Sequence, residues 1–221
     1  MLDDRPVYII LPGPSVEKIK PYLTRLEKIP HVKATVNRFN ILEKRLAVKF
    51  GVVYVSSILR FDELEVRLVK FMKRKGTKLI TNSNCFYKFM FSFKDFRNGK
   101  EYFVSDLGYE PGTWHNSLTN LILAMAWMGF QRFFLFGCDG YADSSENVYF
   151  SQKDIKPEDE NFGNRVISIN RDTRVMNDQF WKLFTKYRMW HTPTVMNVSP
   201  DSKVECFQKL THEEACHILD V

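Results

Sequence analysis

HNSLTNLILAMAWMGFQRFFLFGCDGY, residues 115–141, is the stretch whose reading decides the fold. Leu118, Leu121, Ile122, Met125 and Met128 recur at a helical period, and Asn116 or Ser117 can accept from the first free amides, so a capped, buried helix is predicted to open there. Gly129 stops it. Phe133-Phe134-Leu135-Phe136 is then too short for a helix, is bounded by glycine and aspartate, and reads as a central strand. Asp139 stands at its carboxyl end. In open α/β sheets, ligands collect beyond the carboxyl ends of strands and at helix amino termini. This stretch supplies one of each.

The same alternation continues on both sides. Residues 7–11 form a β-branched apolar run into Pro12-Gly13-Pro14-Ser15, after which Val16, Ile19, Leu23 and Leu26 follow a helical spacing. A glycine in such a turn lets backbone N–H groups approach a phosphate or ribose, and Pro14 or Ser15 suits a first helical turn. Residues 33–37 (KATVN) read as a second strand ending in Asn37, with a short helical segment before Gly51. Residues 52–55 make a third strand ending in Ser56-Ser57, and an amphipathic helix is predicted from Asp62 to Lys75. Residues 78–81 make a fourth, ending in Asn82-Ser83-Asn84. Small polar residues at successive strand ends suit a ligand site, and they equally suit helix caps.

Residues 85–102 are aromatic-rich without a period and receive no assignment. Residues 142–172 are long, polar and poor in apolar side chains, which points to a lid over a site that begins at Asp139 and Tyr141. A helix is expected over residues 173–190, a strand over 194–198 ending in Ser199-Pro200, and a last short helix opened by Thr211. Strand and helix thus alternate about six times, with no fixed-length repeat. The expected architecture is a Rossmann-like, doubly wound, mostly parallel α/β sheet in one domain over residues 1–221, with a lid segment at 142–172 after the central strand.

At 221 residues and 44% hydrophobic composition, the chain suits one large core. No apolar run is long enough for a membrane span, and MLDDRPVYIILPG is unlike a secretory signal, so a cytoplasmic location is expected. The net charge of +6 is modest, and the basic run at residues 70–78 suits the end of a helix. Nineteen Phe do not alternate with Lys or Arg, which argues against a nucleic-acid platform. Cys85, Cys138, Cys206 and Cys216 are scattered without a CxxC pair and read as free thiols.

Four features in order resemble the bacterial sialyltransferases of glycosyltransferase family 42. They are a first strand into Gly13-Pro14-Ser15, Asn37-x-Phe39 after the second strand, Asn116-Ser117 opening a helix that closes at Gly129-Phe130, and an apolar strand into Gly137-x-Asp139-x-Tyr141. They also resemble the wider group related to archaeal 6-hydroxymethylpterin diphosphokinase. The similarity covers about residues 6–200, and the order of the motifs carries it. The resemblance implies nucleotide contacts by Gly13, Pro14, Ser15, Asn37, Asn116 and Ser117, with Tyr141 and Tyr149 as phosphate-binding hydroxyls. Ser56 and Asp139, at strand ends, join this set from the residue reading. Leu118 stands where the family has glycine, and Ile169 falls on the family's catalytic histidine.

A sugar transfer needs a base for the acceptor hydroxyl and support for the departing phosphate. Tyr141 and Tyr149 are candidates for the second. For the first there are His115, which alternatively packs against Trp114, and Asp172, which alternatively caps the next helix. The resemblance implies a sugar, sialic acid or a relative, moved from a CMP-activated donor to a carbohydrate acceptor, with no cofactor beyond the donor and an oligomeric assembly. A pterin diphosphokinase would need Mg²⁺ on clustered carboxylates, whereas Asn37 and Ser56-Ser57 occupy the strand ends where that family carries aspartates. A nucleotide or sugar-phosphate binding protein without transferase activity is the remaining alternative. Asp139 has only Asp143 as a near carboxylate and is expected to hydrogen-bond backbone or ribose, with no metal.

Overall fold

The computed structural model describes residues 3–37, 39–55, 78–83, 102–104, 116–140, 162–187 and 191–219. Its first strand, β1 (Val7–Ile10), is buried along its whole length, as a strand covered on both sides must be. Successive side chains divide between the faces: Tyr8 and Ile10 join one apolar cluster, Val7 and Ile9 the other. The other strands are β2 (Val32–Val36), β3 (Val52–Val55), β4 (Lys78–Thr81), β5 (Tyr102–Val104), β6 (Arg132–Phe136), β7 (Thr194–Asn197) and β8 (Gln208–Lys209). They form an eight-stranded sheet in the order β5-β4-β3-β2-β1-β6-β7-β8. Every pairing is parallel.

The chain therefore walks outward from β1 to β5, returns to place β6 on the other side of β1, and walks outward again. The reversal falls between β1 and β6. At such a reversal the loops leaving adjacent strands diverge to opposite faces, which makes it the natural ligand crevice of an open α/β sheet.

Helices cover both faces, so the sheet is doubly wound. One face carries a 3-10 helix (Pro14–Tyr22), α1 (Leu23–Leu26), α2 (Phe39–Leu46) and α5 (His212–Leu219), which contribute Val16, Ile19, Leu26, Phe39, Leu42 and Cys216. The other carries α3 (Ser117–Trp127) and α4 (Phe162–Lys186). Every residue of α3 from Leu118 to Ala126 is buried, so this helix is enclosed all round and not merely amphipathic. Its polar Asn120 is accommodated because its amide donates to the buried Tyr54 hydroxyl at 3.1 Å.

Several expectations change. The first helix is 3-10 up to Tyr22: Val16, Ile19 and Tyr22 are three apart, the spacing that lines up in a 3-10 turn, and Pro21 within the run cannot supply an α-helical hydrogen bond. The helix expected from Thr173 begins at Phe162, so the segment expected as a lid over 142–172 is helical in its second part. Residues 142–161 lie outside the described residues, as does the helix expected over 62–75. Strand β5 ends the unassigned aromatic stretch, and β8 was not expected. Among the described residues, no helix is long and apolar enough to cross a membrane. Cys138 and Cys206 are free thiols, and Cys85 lies outside the described residues.

Candidate functional site

The loops leaving β1 and β6 are locked to each other. Leu11 N–H donates to Phe136 O at 2.8 Å and Gly13 N–H to Gly137 O at 3.1 Å. Next, Ser15 N–H donates to Asp139 Oδ2 at 2.9 Å. Gly13 is required by this closeness: a Cβ there would stand 2.3 Å from Gly137 O and 2.4 Å from Asp139 Oδ2. Pro14 has no N–H, and Val16 N–H returns to Gly13 O at 3.1 Å. All the amides of the Gly13-Pro14-Ser15 turn are thus engaged within the protein. The expected backbone cradle for a phosphate is occupied by the protein's own carboxylate, and the turn's remaining polar group is the Ser15 hydroxyl.

The β6 loop is also braced from its other side. Ser202 Oγ donates to Cys138 O at 2.6 Å, Asn197 Nδ2 to the same oxygen at 3.0 Å, and Lys203 N–H to Asp139 O at 2.8 Å. Thr173, on α4, donates from Oγ1 to Gly140 O at 2.9 Å. Ser15 and Ser199 share a hydroxyl–hydroxyl bond of 2.9 Å, with Ser199 buried behind it. Asp139 is therefore aimed by its surroundings, which limits the reorganisation needed to engage a ligand. Burial, with Asp139 nearby, raises the Cys138 thiol far above the usual range, and burial pushes Cys206 up to about 12. Neither serves as a thiolate nucleophile near neutral pH.

A second polar pair lies one strand away. Asn37 follows β2 in the left-handed region, φ 47°, a conformation asparagine tolerates better than most residues. Its N–H donates to Tyr54 O at 2.8 Å, which turns its side chain out of the ladder. Its Nδ2 then donates to Ser117 Oγ at 3.1 Å, at the start of α3. Asn116 caps that helix, accepting Leu118 N–H at 2.8 Å on Oδ1. Thus Gly13, Pro14, Ser15, Asn37, Asn116, Ser117 and Asp139 gather along the carboxyl edge of the sheet, around β2, β1 and β6.

Asp172 is not at a helix start, so its reading as a cap is overturned: it lies half-buried within α4, next to Thr173. Ser56, His115, Tyr141 and Tyr149 lie outside the described residues. Asn197, Ser199, Ser202 and Thr173 were missed as parts of the site. The signal for the first two was available, since Asn197 ends β7 and Ser199 follows it, small polar residues at a strand end as Asn37 is at that of β2. Among the described residues, no three His, Cys, Asp or Glu side chains gather as a metal would require.

Fold and site geometry together define a Rossmann-like α/β protein with a polar rim at its strand reversal. No family model and no curated protein matches the chain. Among solved structures it is similar to the MAf glycosyltransferase from Magnetospirillum magneticum AMB-1, with a TM-score of 0.55 at 14% identity, over 95% of this chain and 34% of that one. This likeness is one of fold, and the chain spans about a third of that protein.

Proposed function

We propose that the chain is a glycosyltransferase-like enzyme that moves a sugar, sialic acid or a related acidic sugar, from a CMP-activated donor to a carbohydrate acceptor. The observation that carries this reading is the gathering of Ser15, Asp139, Asn37 and Ser117 at the carboxyl edge beside the strand reversal, where open α/β sheets bind nucleotides. The similarity in fold to a glycosyltransferase agrees with it. In this reading Asn37, Asn116 and Ser117 hold the nucleoside, and Tyr141 and Tyr149 steady the departing phosphate. His115 or Asp172 takes the acceptor proton. Calorimetry with CMP, UMP, AMP and GMP tests it: CMP binds best, and no heat from CMP at millimolar concentration removes the proposal.

One observation favours a second reading, a nucleotide-binding protein without transfer. It is that Ile169 stands where the resembled family has its catalytic histidine. CMP binding together with background hydrolysis of a CMP-sugar selects this second reading.

A further inference from the structure

Asp139 is half-exposed, and only one of its carboxylate oxygens is used. Oδ2 accepts Ser15 N–H, while Oδ1 has no hydrogen-bond partner and the side chain no ion pair among the described residues. An unneutralised carboxylate at the crevice repels a phosphate and accepts strongly from hydroxyls. Beside it, Ser15 Oγ is backed by the buried Ser199 hydroxyl at 2.9 Å, which fixes its direction. The turn has no free amide with which to outweigh the charge.

We propose that Asp139 Oδ1 and the Ser15 hydroxyl form a subsite for neighbouring hydroxyls of a sugar, and that the ligand's phosphate lies away from this turn. The inference rests on the nucleotide reading above and assigns the orientation of the ligand within it. Such hydroxyls occur on the ribose ring of CMP and on the glycerol side chain of sialic acid, and both offer two donors to a carboxylate–hydroxyl corner.

The test is calorimetry on the full chain with CMP, 2′-deoxy-CMP, 3′-deoxy-CMP and CMP-sialic acid, for wild type, Asp139→Asn and Ser15→Ala. Asn keeps an oxygen for Ser15 N–H, and unchanged circular dichroism verifies each fold. Loss of a charge-assisted hydrogen bond weakens binding about ten- to hundredfold. For ribose, the deoxy nucleotides bind wild type that much more weakly than CMP, and Asp139→Asn narrows the gap. For the transferred sugar, the deoxy nucleotides bind like CMP, while both variants weaken CMP-sialic acid and leave CMP unchanged. Tighter CMP binding by Asp139→Asn puts the phosphate against the carboxylate and overturns the inference, as does indifference of all four ligands to both substitutions. Those two outcomes leave the nucleotide reading standing, whereas wild type that binds no CMP removes both.

Discussion

Gly13 is where residue chemistry and site geometry meet most tightly. A Cβ at 2.3 Å from Gly137 O would press on backbone that is itself fixed by Gly137 at φ 70°, so neither partner yields cheaply. Gly13→Ala is expected to cost about 1–3 kcal/mol, read as a lower urea midpoint at unchanged slope, whether or not ligand is present. At Asn37 the expectation runs the other way. Its left-handed backbone makes Asn37→Gly nearly neutral in stability, while the lost Nδ2 bond to Ser117 weakens the proposed nucleotide binding. His212 carries a pH dependence. Burial lowers its pKa below the ordinary 6.5, with Lys18 adding repulsion, and its ring stacks on Tyr22. The unfolded chain therefore takes up this proton at higher pH than the folded one, so stability falls as pH drops through about 6.5 and levels off below the folded value. Urea midpoints between pH 5 and 7.5 check this: His212→Gln flattens the slope, and an unchanged slope would assign it to other groups.

At the level of elements, α3 shows both the reach and the limit of periodicity. Its start was legible because Asn116 and Ser117, both able to cap, stand just before Leu118, the first residue of the apolar stripe, and Asn116 is the cap; Asn116→Ala is expected to cost about 1 kcal/mol, measured by thermal melting. Its enclosure was less legible, since an apolar stripe describes one face and not how many elements surround the helix. The strands β3, β4 and β6 were readable from short β-branched or aromatic runs between turn residues. Strand β8 was not, because Gln208 and Lys209 are both exposed and only pairing with β7 makes them a strand. The start of α4 was misplaced because residues 162–172 are mostly polar, and a polar helical segment resembles a loop in sequence. For the site, strand-end chemistry pointed to Ser15, Asn37 and Asp139 individually. What residue types do not convey is that Asp139 engages the turn amide itself, because that bond spans two loops far apart in the chain.

For the molecule as a whole, the sheet is shared by two apolar clusters, and adjacent residues of one strand belong to different ones. Phe133 packs on the α3–α4 side and Phe134 on the side of the 3-10 helix, both fully buried. The proposed site draws on both, since the turn of Ser15 leads into one layer and Ser117 opens a helix of the other. A ligand seated there binds only when both layers are in place, so its binding energy adds to the stability of either. Phe133→Ala and Phe134→Ala are each expected to lose about 3–5 kcal/mol. CMP at a hundred times its dissociation constant is expected to restore about 2.7 kcal/mol to each variant and to wild type alike. Urea unfolding followed by tryptophan fluorescence and circular dichroism, with and without CMP, measures both. Equal recovery agrees with CMP binding to the cooperatively folded chain, whereas no recovery in wild type or in either variant removes the nucleotide reading.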